Sequence, residues 1–223
     1  MDQPTVADFD GDEAVAEAAA GLQEARSTRG GLLRHAGVMA GGLGVAAAIV
    51  PSLASARNGG TKKEDIKILN YALTLEYLEA AFYAEANAKG KLTGVTQTFA
   101  KVVAGHEAAH VATLQKVLGS QAVKKPAFDF KGTTGSLKTF LQTSKTLEDT
   151  GVAAYQGQAD KISSKDVLAS AGSILAVEAR HAAWVRDIIG GGNSPAPAPA
   201  AFSAPMSMSQ VLAAVKSTGF IKS

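Results

Sequence analysis

The chain has 223 residues, 46% of them hydrophobic, with one Trp and no Cys; this suits one α-rich domain with appendages and excludes disulfide, zinc-thiolate and iron-sulfur chemistry. The formal net charge of +2 is unevenly spread: residues 1–56 carry seven acids and three bases, the remainder 13 acids and 19 bases. The surplus lysines are scattered over expected helix surfaces without a basic stripe or interleaved aromatics, so nucleic acid is not expected as a partner.

Residues 1–56 read as an export signal. An acidic, Ala-rich leader is followed by Arg26, Arg29 and Arg34, then by an uncharged apolar run from Ala36 to Val50. Pro51 breaks the run, and Ala54-Ser55-Ala56 has the small-x-small pattern of a cleavage site. These 15 residues fall short of the ~20 that cross a bilayer as a helix, so no stable transmembrane span is expected. The stretch Ser27 to Arg34 resembles a twin-arginine export motif, with Thr28 in place of one arginine and Gly31 in place of the usual aromatic. The mature chain is then expected to begin near Arg57 and to work in the periplasm, the cell envelope or outside the cell.

Residues 57–192 are expected to form four helices. Thr61 and Glu64 read as a capping box opening a helix that runs to about Lys89 and stops at Gly90, with Leu69, Leu73, Glu76, Ala80 and Tyr83 on one stripe. A second helix runs from about Val95 to Leu118, with Phe99, Val103, Glu107 or His106, His110, Leu114 and Val117 facing inward. Ser120 to Gly135 is too long for a tight hairpin and reads as a crossover anchored by Phe128 and Phe130. A third helix is expected from Ser136 to Ala159, and a fourth, capped by Ser163 or Ser164, runs to Ile189 before three glycines. Two helical hairpins joined by one long crossover define an all-α four-helix bundle. In residues 193–223 a Pro/Ala linker precedes a short helix, capped by Ser209, whose apolar end is expected to dock on its own bundle or on a neighbouring subunit of a homo-oligomer.

Within this pattern Glu107-Ala108-Ala109-His110 and Glu178-Ala179-Arg180-His181 each place a carboxylate and an imidazole one turn apart on one helix face. One Glu-x-x-His is weak evidence, but this one is duplicated. Glu76 precedes Glu107 by 31 residues and Glu148 precedes Glu178 by 30, and each lone glutamate has a tyrosine seven residues on, Tyr83 and Tyr155. The halves are offset by 72 residues at the lone glutamates and 71 at the paired ones, which reads as a repeated helical hairpin. Glu76, Glu107, His110, Glu148, Glu178 and His181 are therefore the expected ligands of two metal ions. Such oxygen and imidazole donors suit iron or manganese, and zinc also fits the site. Two divalent ions neutralise four facing carboxylates that would otherwise be costly to bury. Glu79, one turn away, is the main competitor of Glu76, which symmetry with Glu148 favours, so Glu79 is expected beside the ligands; His106, beside Glu107, is expected next to the ligands or exposed. Tyr83 and Tyr155 are expected in the core and, where they reach the site, to orient a ligand carboxylate or relay an electron.

The stretch from about Lys62 to Gly190 resembles the ferritin-like, di-iron carboxylate superfamily. Leu75-Glu76-Tyr77-Leu78-Glu79-Ala80-Ala81-Phe82-Tyr83 and Leu147-Glu148-Asp149-Thr150-Gly151-Val152-Ala153-Ala154-Tyr155 resemble its exported bacterial branch, which includes plant desiccation-related proteins. The resemblance implies a dinuclear iron site acting in iron oxidation or in oxygen or peroxide chemistry, in oxidative or desiccation stress. Two alternatives stay open: a manganese catalase-like enzyme, and a protective or binding protein of the envelope whose metal only staples the bundle. Gly151 stands where a rubrerythrin-type extra glutamate would sit, and no Cys module supplies electrons; both features argue against rubrerythrin-type peroxidase activity.

Overall fold

The computed structural model describes residues 63–191 and 197–222; the expected export signal, the Thr61 cap and Pro195 of the linker lie outside the described residues. Five α-helices and no strand occur among the described residues: α1 (Lys63–Lys89), α2 (Gly94–Leu118), α3 (Leu137–Gln156), α4 (Lys165–Gly190) and α5 (Met208–Thr218). None is long and apolar enough to cross a membrane. Helix α1 packs along α2 and α3 along α4, and residues 119–136 carry the chain between the two hairpins through short 3-10 turns at Gly119–Gln121 and Thr133–Gly135. This is the two-hairpin bundle expected from the sequence.

Helix ends follow local chemistry. Ser136 Oγ accepts the amide of Thr139 at 3.3 Å to open α3, and Ser164 Oγ accepts that of Val167 at 3.4 Å to open α4, which leaves fewer orphan donors in each first turn. Helix α3 stops at Gln156, earlier than the Ala159 that the pattern suggested. The reason is non-local: the tail crosses there, the Met206 amide bonding Ala153 O at 3.0 Å. A Cβ on Gly157 would lie 1.8 Å from Met206 O, so only glycine lets the two backbones pass. The cap of α5 is Ser207, not Ser209, and forms a reciprocal capping box with Gln210.

The tail docks on its own bundle. Val211, Val215 and Phe220 are buried in the same apolar cluster as Phe82 and Phe130, and the last residues pair with the crossover through an isolated bridge between Phe128 and Ile221. There the amide of Asp129 donates to Phe220 O at 2.8 Å and that of Lys222 to Ala127 O at 2.9 Å. Phe130 meets Phe82 and Phe220 edge-on, both at 5.4 Å between ring centres, so the crossover phenylalanines anchor as expected.

Two apolar clusters fill the bundle, one on each side of a polar layer. Phe82, Phe99, Phe140 and Val185 belong to the first; Leu73, Leu114, Val167 and Ile174 belong to the second. A buried carboxylate fixes the register between α1 and α4. Asp65, fully buried, accepts the amide of Ser163 at 2.8 Å and that of Ser164 at 3.0 Å. Asp65→Ala should orphan both donors and cost about 2–3 kcal/mol by the usual penalty for unmade, charge-assisted hydrogen bonds. Urea denaturation measures this, and a variant as stable as the parent chain would refute the role.

Candidate metal centre

The polar layer between the clusters gathers all six residues that the sequence singled out. Glu76 comes from α1, Glu107 and His110 from α2, Glu148 from α3, and Glu178 and His181 from α4. Five of the six are at most 3% exposed, and the His110 side chain is 11% exposed. The i, i+3 spacing aims each pair inward, while the antiparallel hairpins bring the lone glutamates to the same level.

The donors sort into two groups that share members. Glu76, Glu107, His110 and Glu178 offer one atom each within 4.8 Å of one another; so do Glu107, Glu148, Glu178 and His181. His110 Nδ1 lies 3.2 Å from Glu76 Oε2, 3.3 Å from Glu107 Oε2 and 3.2 Å from Glu178 Oε1. His181 Nδ1 lies 3.2 Å from both Glu107 Oε1 and Glu148 Oε2. Glu107 and Glu178 thus stand between two half-sites, one completed by Glu76 and His110, the other by Glu148 and His181.

Each tyrosine reaches across to the other half. Tyr155 of α3 donates its hydroxyl to Glu76 Oε1, and Tyr83 of α1 donates to Glu148 Oε1. One oxygen of each lone glutamate is held this way, and the other, Oε2, faces the histidine of its half-site. The tyrosines therefore orient carboxylates, one of the roles expected of them. Burial first, then the carboxylate beside each, pushes both phenols well above their ordinary range, so they remain hydrogen-bond donors.

The charge balance of the layer is abnormal for a protein interior. Burial pushes Glu178 up to about 8 against the pull of neighbouring His110, and pushes Glu148 up to about 8 against that of Tyr83 and Glu178. Glu107 is raised well above the carboxylate range by burial and by the charges of Glu178 and Glu76. Glu76 departs the other way: burial acts to raise it, but the hydrogen bond and charge of His110 prevail and lower it. Burial acts to lower His110, yet its three carboxylate partners raise it strongly; His181 falls to about 4, chiefly through burial. No Lys or Arg is buried among the described residues.

These residues fit a metal. Buried Glu107 Oε1, Glu148 Oε2, both oxygens of Glu178 and His181 Nδ1 have no hydrogen-bond partner, although they face one another across the layer. Donor atoms converging at about 3.2 Å are costly to bury in their charged forms unless a cation joins them.

The flanking residues take distinct places. His106 is exposed, and its Nδ1 lies 2.8 Å from His181 Nε2 with the rings stacked, so the far nitrogen of the buried imidazole is held and Nδ1 is left toward the carboxylates. Glu79 is buried and belongs to neither donor group; burial and the charge of Glu148 raise it well above the ordinary range. Its space comes from Gly151, where a Cβ would lie 3.3 Å from Glu79 Oε1 and 3.2 Å from Glu178 Oε2. This accommodating role was missed in the sequence, although the repeat offset of 72 residues places Gly151 opposite Glu79.

A family model described as a ferritin-like domain matches residues 64–191. No curated protein matches the chain.

Proposed function

Because the chain belongs to the ferritin-like domain family through residues 64–191, we propose that the buried cluster holds two metal ions, iron before manganese or zinc, and that the protein uses them in iron oxidation or in oxygen or peroxide chemistry. The observation that carries this reading is the pair of donor groups sharing Glu107 and Glu178. Glu76 and His110 would help to hold one ion, Glu148 and His181 the other, and Glu107 and Glu178 would be available to both. Bound iron would supply the electrons for reducing dioxygen or peroxide. The chain's own contribution is to hold the donors in register, to exclude bulk water with the two apolar clusters, and to keep Tyr83 and Tyr155 protonated on the outer oxygens of the lone glutamates. The apolar run, Pro51 and the Ala54-Ser55-Ala56 site support export, which would place this chemistry outside the cytoplasm in oxidative or desiccation stress.

Elemental analysis of natively expressed protein, followed by oxygen-uptake measurements, tests the proposal. Iron near two ions per chain with Fe(II)-dependent oxygen uptake is the expected result. Manganese with rapid peroxide disproportionation would replace it with a catalase-like reading, and stoichiometric metal without turnover would leave a stapled protective protein.

A further inference from the structure

The repeated hairpins make the site nearly symmetric, but its two ends are built differently. Beyond Tyr83 the interior is filled with rings: Phe82 meets Tyr83 at 5.3 Å and stacks on Phe140 at 5.4 Å, and Phe99 packs against Tyr83 at 5.8 Å and Trp184 at 5.3 Å. Beyond Tyr155 the bundle instead contains a cavity walled by aliphatic side chains from all four helices, among them Ala72, Leu114 and Ile174. Ala72 lies one turn before Glu76, Leu114 one turn after His110, and Ile174 one turn before Glu178. In antiparallel partners these offsets run the same way along the bundle, so the cavity begins about 6 Å from the half-site of Glu76 and His110. Tyr155 joins the two spaces: it lines the cavity and its hydroxyl is bonded to Glu76. Half-buried Ser170 and Ala171 lie at the rim, on the first turns of α4.

Size and polarity select the occupant. The room for the centre of a water-sized body is about 20 Å³, where one water needs roughly 10–15 Å³ by the same measure. A diatomic molecule fits, and a hydrocarbon chain does not. Polar side chains along the wall are engaged elsewhere: Ser170 Oγ donates to Asp166 O at 2.8 Å, Gln158 Nε2 donates one N–H to Gly157 O at 2.8 Å, and Tyr155 donates to Glu76. Tyr71 keeps an unpartnered hydroxyl, but the wall that faces the cavity is almost wholly apolar, where a buried water needs two to four polar partners. Hydrogen peroxide, a double donor and acceptor, would be left as unsatisfied as water there.

We infer that this cavity binds dioxygen beside the Glu76 and His110 half-site, which makes dioxygen rather than peroxide the oxidant and distinguishes two halves that the ligand set alone leaves equivalent. The inference rests on the proposed reading of the cluster as an oxygen-reactive metal centre, and the test separates the two. In crystals of the chain pressurised with xenon, an apolar gas atom that needs no metal, xenon is expected between Ala72, Leu114 and Ile174. Ala72→Leu should remove that xenon, leave metal content unchanged and raise the KM for dioxygen in Fe(II) oxidation about tenfold. Ordered water or no xenon in the parent cavity would overturn the inference without touching the metal reading. So would an unchanged KM in a folded variant that has lost xenon. Xenon in a chain that takes up no metal would instead overturn the metal reading and support the gas site. Because the parent chain carries the xenon arm, misfolding of the variant does not remove the test.

Discussion

Glu178→Ala is expected to reduce bound metal from about two ions per chain to less than one, whereas Glu148→Ala should leave about one. The difference follows from the shared position of Glu178: both donor groups contain it, while Glu148 belongs to one. Glu107→Ala should behave like Glu178→Ala, and Glu76→Ala like Glu148→Ala. Stability should separate the same way. A ligand that binds only the folded chain stabilises it by about 4 kcal/mol at a thousandfold excess over Kd, and that contribution should vanish in the Glu178→Ala variant. Without metal and above about pH 8, where Glu178 is ionised, the sign should reverse for Glu178→Gln, because a neutral amide replaces a buried carboxylate that lies among like charges. Metal analysis and thermal denaturation with and without Fe(II) measure both effects. Two ions retained in Glu178→Ala, or equal losses in Glu178→Ala and Glu148→Ala, would refute the shared role.

What the sequence revealed and what it hid divide along locality. The donors were legible because i, i+3 geometry is local and the hairpin is repeated, so Glu76 and Glu148 could be found from Glu107 and Glu178 by counting. The crossing of Tyr83 to Glu148 and Tyr155 to Glu76 was not legible in the same way. The interval of seven places each tyrosine near its own glutamate's face, and only the packing of α1 against α3 shows that each hydroxyl reaches the opposite one. Asp65 is a first-turn acid by position, yet its partners are the amides of Ser163 and Ser164, 98 and 99 residues away. The early stop of α3 depended on the tail crossing Gly157, a contact that no local pattern encodes. The Ser207 cap differs, because Ser207 and Gln210 do spell a capping box and the pattern was there to be read. The cavity beyond Tyr155 is the least legible feature, since a void is the absence of side chains that the sequence never names.

Metal should also invert the pH dependence of stability. In the metal-free chain Glu148 and Glu178 titrate near 8, against roughly 4.3 for an unfolded glutamate. Between those values the folded state holds protons that the unfolded state has released, so the stability from these groups is present at low pH and is lost as pH rises toward 8. His110, raised by its carboxylates, acts in the same sense above the ordinary histidine value of about 6.5. His181, lowered to about 4, opposes them only between 4 and 6.5, where the unfolded state binds the extra proton. The lowered Glu76 opposes them only in the acid range. From pH 6.5 to 8 the falling contributions therefore dominate, and the two carboxylates together should cost roughly 3 kcal/mol over that interval. For a domain of this size that corresponds to a midpoint lower by roughly 6–12 °C. Metal ions compete with those same protons, so their affinity rises with pH, and the loaded chain should hold or gain stability across the interval in which the metal-free chain loses it. Thermal midpoints with chelator and with Fe(II) under anaerobic conditions, taken at half-unit steps, should show the two slopes diverging. Parallel slopes would mean that the protons leaving this layer and the ions entering it do not share the same atoms.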